Sequence, residues 1–194
     1  MQASLFQGEP EPSGETLADI YKEELERGKA MFANRQFVFG TGNEKADVVV
    51  IGESPGHPDE LYDRPFMGPA GELLVRILSS IGLTSSDTYL TNTVKIISQG
   101  HEITPEVLNF FVPYLRREIH AINPKLIITL GATPTKALLG TKKPISQVRG
   151  EFSEFDGIPV MPTFNPAYLL RDATKKKEVS DDMKKVREFL RSNG

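Results

Sequence analysis

Two carboxylates, Glu53 and Asp59, share a short stretch with an aromatic ring, Phe66, and with a backbone bent by Gly52, Pro55, Gly56 and Pro58. A carboxylate can hold an attacking water or oppose a growing positive charge, and a ring offers a flat face to a planar ligand. Two carboxamides stand in similar places: Asn92 follows Thr88-Tyr89-Leu90-Thr91, and Asn165 follows Ile158 to Phe164. Glu53 itself follows the apolar, β-branched run Val48-Val49-Val50-Ile51 and Gly52. Alone, each polar residue reads as a helix cap or turn residue. Together, three strand ends and a ring point to a concave site.

The elements that must position these residues follow from periodicity. The continuous apolar runs at Val48–Ile51 and Leu126–Leu130 read as strands buried on both faces of a parallel sheet. In an open sheet of that kind, ligands bind in the crevice beyond the carboxyl ends of the strands. Thr88–Thr91 and Ile158–Phe164 supply two more strands, the latter with prolines suited to a sheet edge. Leu17, Ile20, Tyr21 and Leu25 predict a helix over Thr16–Met31. Ala70, Leu73, Leu74, Ile77, Leu78 and Ile81 predict another, ended by Gly82. Thr104-Pro105-Glu106 starts a third, with a capping residue followed by proline. A short helix is expected near Thr133–Leu139 and a last helix over about Val179–Arg191, whereas nothing regular is expected between Gly52 and Ala70. Strands alternating with helices give an α/β class with a mainly parallel sheet. Residues 1–13, rich in Pro, Glu, Ser and Gly, read as a mobile segment before a single domain at 14–194.

Composition narrows the chemistry. The 194 residues contain no cysteine, which excludes disulfides, thiolate zinc sites, cysteine nucleophiles and cysteine-ligated iron–sulfur clusters. Three scattered histidines, His57, His101 and His120, argue against a histidine metal site, so no metal is expected. No apolar run has the length of a membrane span and no signal-peptide layout opens the chain, so a cytoplasmic protein without a membrane partner is expected. The net charge is −3 but unevenly spread. Residues 1–30 carry seven acids against three bases, whereas Lys142–Lys177 carry seven bases against four acids. Such asymmetry permits a phosphate-facing patch, with Lys142, Lys143 and Arg149 as candidate contacts, and equally a solvated surface with a loose basic loop. Gly52-Glu53-Ser54-Pro55-Gly56 has the spacing of a hydrolase nucleophile elbow, but the residue after Ser54 is a proline with no N–H for an oxyanion hole. Neither glycine-rich phosphate-binding signature occurs.

Several segments, taken together, resemble the family-4 uracil-DNA glycosylases. They are Gly52–Gly56 with Asp59, Arg64-Pro65-Phe66-Met67-Gly68-Pro69-Ala70-Gly71, Thr91-Asn92-Thr93-Val94-Lys95, Pro124–Gly131, Val148-Arg149-Gly150 and Asn165-Pro166-Ala167-Tyr168-Leu169-Leu170, in that family's order over roughly Phe39 to Arg191. The resemblance implies a three-layer α/β/α sandwich around a four-stranded parallel sheet. It implies a monomeric enzyme that flips uracil, or another deaminated base, out of DNA. Uracil would stack on Phe66, beside Ser54, with the Asn92 carboxamide reading its O4/N3 edge. Tyr168, Leu169, Leu170 and Arg171 would press on the duplex, and Glu53 or Asp59 would hold the water or oppose the sugar cation, their roles left undivided.

Two departures from the family pattern accompany the match. The family holds an iron–sulfur cluster on four cysteines, whereas this chain has none; Ile96 or Ile97 and the apolar positions around Asn109–Phe111 stand near some ligand positions. Ordinary packing of the N-terminal helix and the Ile96–Thr104 loop would then replace the cluster. The family's motif after the last strand begins with a histidine that donates to uracil O2, and here Asn165 occupies that place, an amide that can donate too but with different reach and polarity. A binding relative with weakened or lost catalysis is the alternative, and an α/β nucleotide-binding protein sharing only the fold is a third.

Overall fold

The computed structural model describes residues 14–98 and 102–194. The expected mobile segment 1–13 and part of the Ile96–Thr104 loop lie outside the described residues. Along the chain the elements are α1 (Leu17–Met31), β1 (Thr41–Gly42), β2 (Val48–Gly52), α2 (His57–Tyr62), α3 (Pro69–Ser80), β3 (Thr88–Asn92), α4 (Pro105–Ile122), β4 (Leu126–Leu130), α5 (Ala132–Leu139), α6 (Ile145–Val148), β5 (Ser153–Phe155), β6 (Ile158–Thr163), α7 (Pro166–Arg171) and α8 (Lys176–Ser192).

Four parallel strands, β3-β2-β4-β6, form the centre of the sheet, as the apolar runs required. Two short antiparallel strands extend it to six, β1 beside β3 and β5 beside β6. Neither carries an apolar run that would announce it. The prolines of β6 therefore do not mark an edge: that strand lies between β4 and β5. Proline is tolerated here because pairing with β4 begins at Val160, one residue past Pro159. Pairing with β5 stops at Val160, before Pro162, whose carbonyl accepts the Gly150 N–H at 2.9 Å.

Alternation along the strands sends side chains into two layers. Val49, Ile51, Ile127 and Val160 pack with Ile20, Leu115, Ile119 and Leu138 of α1, α4 and α5. Val48, Val50, Ile128 and Met161 pack with Leu74, Leu78, Leu169, Met183 and Val186 of α3, α7 and α8. The result is the three-layer sandwich.

Helix boundaries follow their caps. Thr16 caps α1 in a reciprocal box with Asp19, and Thr104 caps α4 ahead of Pro105. Helix α2 departs from the expected irregular loop. Pro58 sits in its first turn and the Asp59 carboxylate accepts the Gly56 N–H at 3.2 Å, satisfying a free donor at the helix start. Six residues are too short for periodicity to reveal.

A third apolar cluster joins α1, α4 and the segment after β3. Phe37, Val94, Ile96 and Phe111 are buried there, with Leu25, Phe32 and Phe110 packed against them. Phe32 stacks on Phe111 at 5.3 Å between centroids, and Phe110 meets Phe111 edge-on at 4.9 Å. The fit is close: a Cβ on Gly28 of α1 would lie 2.3 Å from Phe37 Cζ.

Candidate active site at the strand ends

Gly52 is the last residue of β2 and pairs in register with Asn92, the last residue of β3. Its bare Cα is the meeting point of the site. A Cβ there would fall 2.5 Å from Asn92 Oδ1 and 2.8 Å from Phe66 Cζ. The ring and the carboxamide therefore converge on one spot. Asn92 is 3% exposed, and among the described residues its carboxamide takes no hydrogen bond within the chain. The carboxamide can offer one acceptor and two donors to a ligand.

Phe66 reaches this place from an unusual backbone. Its φ is +59°, in the left-handed region that disfavours a bulky residue. Two contacts hold it there. The first turn of α3 presses on it so closely that a Cβ on Gly71 would overlap the Phe66 carbonyl oxygen at 1.8 Å. On the other side, Asp59 Oδ1 accepts the Met67 N–H at 2.8 Å. Strain held by its surroundings is typical of a residue under functional constraint.

The two carboxylates are thereby told apart. Asp59 is buried, and its oxygens are committed to the amides of Gly56 and Met67, so it orders the loop that carries Phe66. Glu53 is exposed just past β2, and its Oε2 accepts a hydrogen bond from Thr133 Oγ1 on α5. Thr133 carries no signal in the sequence; it arrives because α5 starts immediately after β4, beside β2. Ser54 follows Glu53, half-buried.

Asn165 caps α7, its Oδ1 accepting the Ala167 N–H at 2.9 Å. That bond fixes which end of the amide is oxygen. The Nδ2 end, at 3.4 Å from the Leu130 carbonyl, retains donor capacity. Glu53, Asn165, Tyr168 and Arg171 line one depression of about 430 Å³, with Ile145 and Ser146 on its wall. Lys142 and Lys143 are exposed on the turn just before those two residues. A second depression of about 520 Å³ shares Glu53 and runs between α4 and α5 past Lys136.

Two expected DNA contacts lie elsewhere. Leu169 is 1% exposed and belongs to the core beneath β6, because helical spacing turns it inward, whereas Leu170 is 52% exposed. Arg149 does not face a phosphate. Its Nε donates to Asp182 Oδ2 at 3.0 Å, its Nη2 to Asp182 Oδ1 and to the Glu178 carbonyl at 3.2 Å. Asp182 has no exposed surface, so this pair ties the turn after α6 to α8, and the hydrogen bonds to Asp182 push the guanidinium pKa further up. A buried carboxylate needs its partner more than a surface phosphate does.

No group of three or more His, Cys, Asp or Glu residues among the described residues could hold a metal ion. With no cysteine and with phenylalanines filling the space between α1 and α4, the residues present do not fit an iron–sulfur cluster. Among the described residues no helix is long and apolar enough to cross a membrane.

The chain is similar to several known proteins. Residues 39–191 match the model of the uracil DNA glycosylase superfamily. The type-4 uracil-DNA glycosylase of Thermotoga maritima is 35% identical over 188 residues, covering 93% of this chain and 98% of that protein. That of Archaeoglobus fulgidus is 34% identical over 186 residues, covering 90% and 94%. A DNA polymerase of Bacillus phage SP01 is 29% identical over 134 residues, 68% of this chain but 14% of the polymerase.

Proposed function

The chain belongs to the uracil DNA glycosylase superfamily, and from that membership we propose that it hydrolyses the N-glycosidic bond of uracil in DNA, opening base excision repair. The convergence of the Phe66 ring and the Asn92 carboxamide on Gly52 carries this reading. A flipped uracil lies on the ring with its O4 and N3–H against a group that has one acceptor and two donors. Cytosine reverses donor and acceptor at that edge and is refused.

Bond cleavage leaves positive charge on the sugar and negative charge on the departing uracil. Fixed charges and donors aimed at those places are the largest aid a protein can supply. Glu53 is the carboxylate with a free oxygen, and Thr133 orients it. It holds the water that attacks C1′ and opposes the sugar cation. The C1′–N1 electron pair leaves with uracil, and the Asn165 amide, its oxygen spent on the α7 cap, donates to O2 as the anion forms. Asp59 is a positioning residue. Leu170, Tyr168 and Arg171 meet the duplex, with Leu170 filling the space left by the base. Lys142 and Lys143 approach phosphates. Flipping costs a few kcal/mol and least at a mispair, which favours U·G over U·A.

The phenylalanine cluster replaces the iron–sulfur cluster of cluster-bearing relatives, joining α1 to α4 by packing alone. The protein needs no cofactor, works as a monomer, and acts in the cytoplasm. The test is incubation with uracil-containing oligonucleotides followed by alkali. Strand breaks at uracil are expected, and none beyond a boiled control refutes the proposal. The Asn165 carboxamide in place of a histidine favours one second reading, a relative that binds uracil or abasic DNA tightly without releasing base. The same assay, run beside a binding measurement, separates the two.

A further inference from the structure

Below Asn92, on the α1/α4 side of the sheet, lies a polar network that the reaction described above does not use. Lys95 is 1% exposed, Glu118 1% and Glu24 0%. The Lys95 ammonium has three protons and three acceptors: Asn92 O at 2.6 Å, Thr91 Oγ1 at 2.9 Å and Glu118 Oε2 at 2.9 Å. The other oxygen of Glu118 accepts from Tyr21 Oη, which is 2.6 Å from Tyr89 Oη. Glu24 stands nearby with no partner for either oxygen among the described residues. The chain passes close over this group only because residue 40 is glycine: a Cβ there would lie 2.9 Å from Glu118 Oε1.

Such a network is an expensive way to hold a fold, since apolar residues of equal volume commonly do as well. Its position suggests why it is kept. Past β3 the chain turns, and Lys95 reaches back three residues to grip the carbonyl of the residue whose carboxamide meets Gly52. The strand ladder holds the next two residues, Thr93 N–H to Gly52 O and Val94 N–H to Glu53 O, both at 2.9 Å. Lys95 adds a side-chain donor to the Asn92 carbonyl at 2.6 Å.

We propose that Lys95, anchored by Glu118, is a positioning residue that sets the orientation of the Asn92 carboxamide and thereby the recognition of uracil. It never touches the base. The proposal rests on the uracil-glycosylase reading above and names a specificity device beneath that same site.

Lys95→Met alone would leave Glu118 buried and unpaired, so the test uses Lys95→Met with Glu118→Gln, which removes both charges at similar volume. Single-turnover release of uracil is measured in the wild type, in this double variant, in Asn92→Ala, and in the combination of all three changes. Melting temperatures are recorded alongside. The double variant is expected to stay folded and to slow by a factor on the order of 10 to 100, the size of coupling found between residues in contact. In the Asn92→Ala background the same two changes are expected to cost little more, because the carboxamide they orient is already gone. A purely structural role would slow both backgrounds equally. The proposal is overturned by a double variant that is unfolded at assay temperature, by one as fast as the wild type, or by an equal loss in both backgrounds. A wild type that releases no uracil removes the premise instead, and the inference with it.

Discussion

Gly52→Ala is the most direct probe of the site, because one methyl group enters the point where the ring and the carboxamide meet. The new Cβ would stand 2.5 Å from Asn92 Oδ1 and 2.8 Å from Phe66 Cζ, and each must retreat by about 0.5 to 1 Å to reach ordinary contact. Phe66 cannot retreat freely, since α3 presses on its carbonyl and its φ is already +59°. A displacement of about 1 Å in a substrate-positioning group costs on the order of 100-fold in rate. Overpacking a buried position typically costs about 1 to 3 kcal/mol. At roughly 2 to 4 °C per kcal/mol for a chain of this size, the melting temperature falls by about 2 to 12 °C. The expected variant is therefore folded, somewhat less stable and slow on uracil DNA, as judged by single-turnover base release beside a thermal melt. A Gly52→Ala protein that releases uracil at the wild-type rate would show that the base does not bind between Phe66 and Asn92.

Leu169→Ala and Leu170→Ala should separate cleanly despite adjacency. The buried Leu169 should cost about 2 to 5 kcal/mol of stability, while Leu170 should leave stability unchanged and slow excision from duplex more than from single-stranded DNA, read by paired melts and rates. Asn165→Ala removes both a helix cap and the donor to the leaving base. A loss of about 1 kcal/mol in stability and on the order of 100- to 1000-fold in rate is expected, whereas Asn165→His should raise the rate. Arg149→Met leaves Asp182 buried without its partner. It should destabilise by about 3 to 5 kcal/mol in urea titration, with DNA affinity unchanged at temperatures where the variant is folded. Burial pushes the Glu24 carboxyl up to about 8, with Glu118 adding to the rise and Lys95 opposing it. The folded state then keeps a proton that the unfolded chain releases above about pH 4.3. Stability should therefore fall as pH rises from about 4.5 to 8 and level off beyond, and Glu24→Leu should flatten that slope in urea midpoints measured across the range.

The parallel strands were legible because β2 and β4 are buried on both faces and so are apolar throughout. Helices α1, α3 and α4 were legible because each shows an apolar stripe and a start or stop residue of a known kind. The order of motifs placed Glu53, Phe66, Asn92 and Asn165 at one end of the sheet, since parallel strands bring their carboxyl ends to the same side. Local patterning went no further than that. Strands β1 and β5 have two and three residues, and their pairing comes from the neighbours β3 and β6 rather than from their own composition. Whether a carboxylate faces solvent or a backbone amide depends on a chain that returns from elsewhere: Met67 N–H claims Asp59, and Thr133 reaches Glu53 from the end of the neighbouring strand β4. Arg149 looks like a phosphate contact until α8 brings Asp182 against it, and nothing in the spacing of Lys95 announces the Glu118 that α4 brings to it. Residue type and spacing thus decided which chemistry is present and near which strand end. The pairing of charges, the direction of each amide and the role of each carboxylate were decided in the folded protein, because those depend on contacts between segments far apart in the chain.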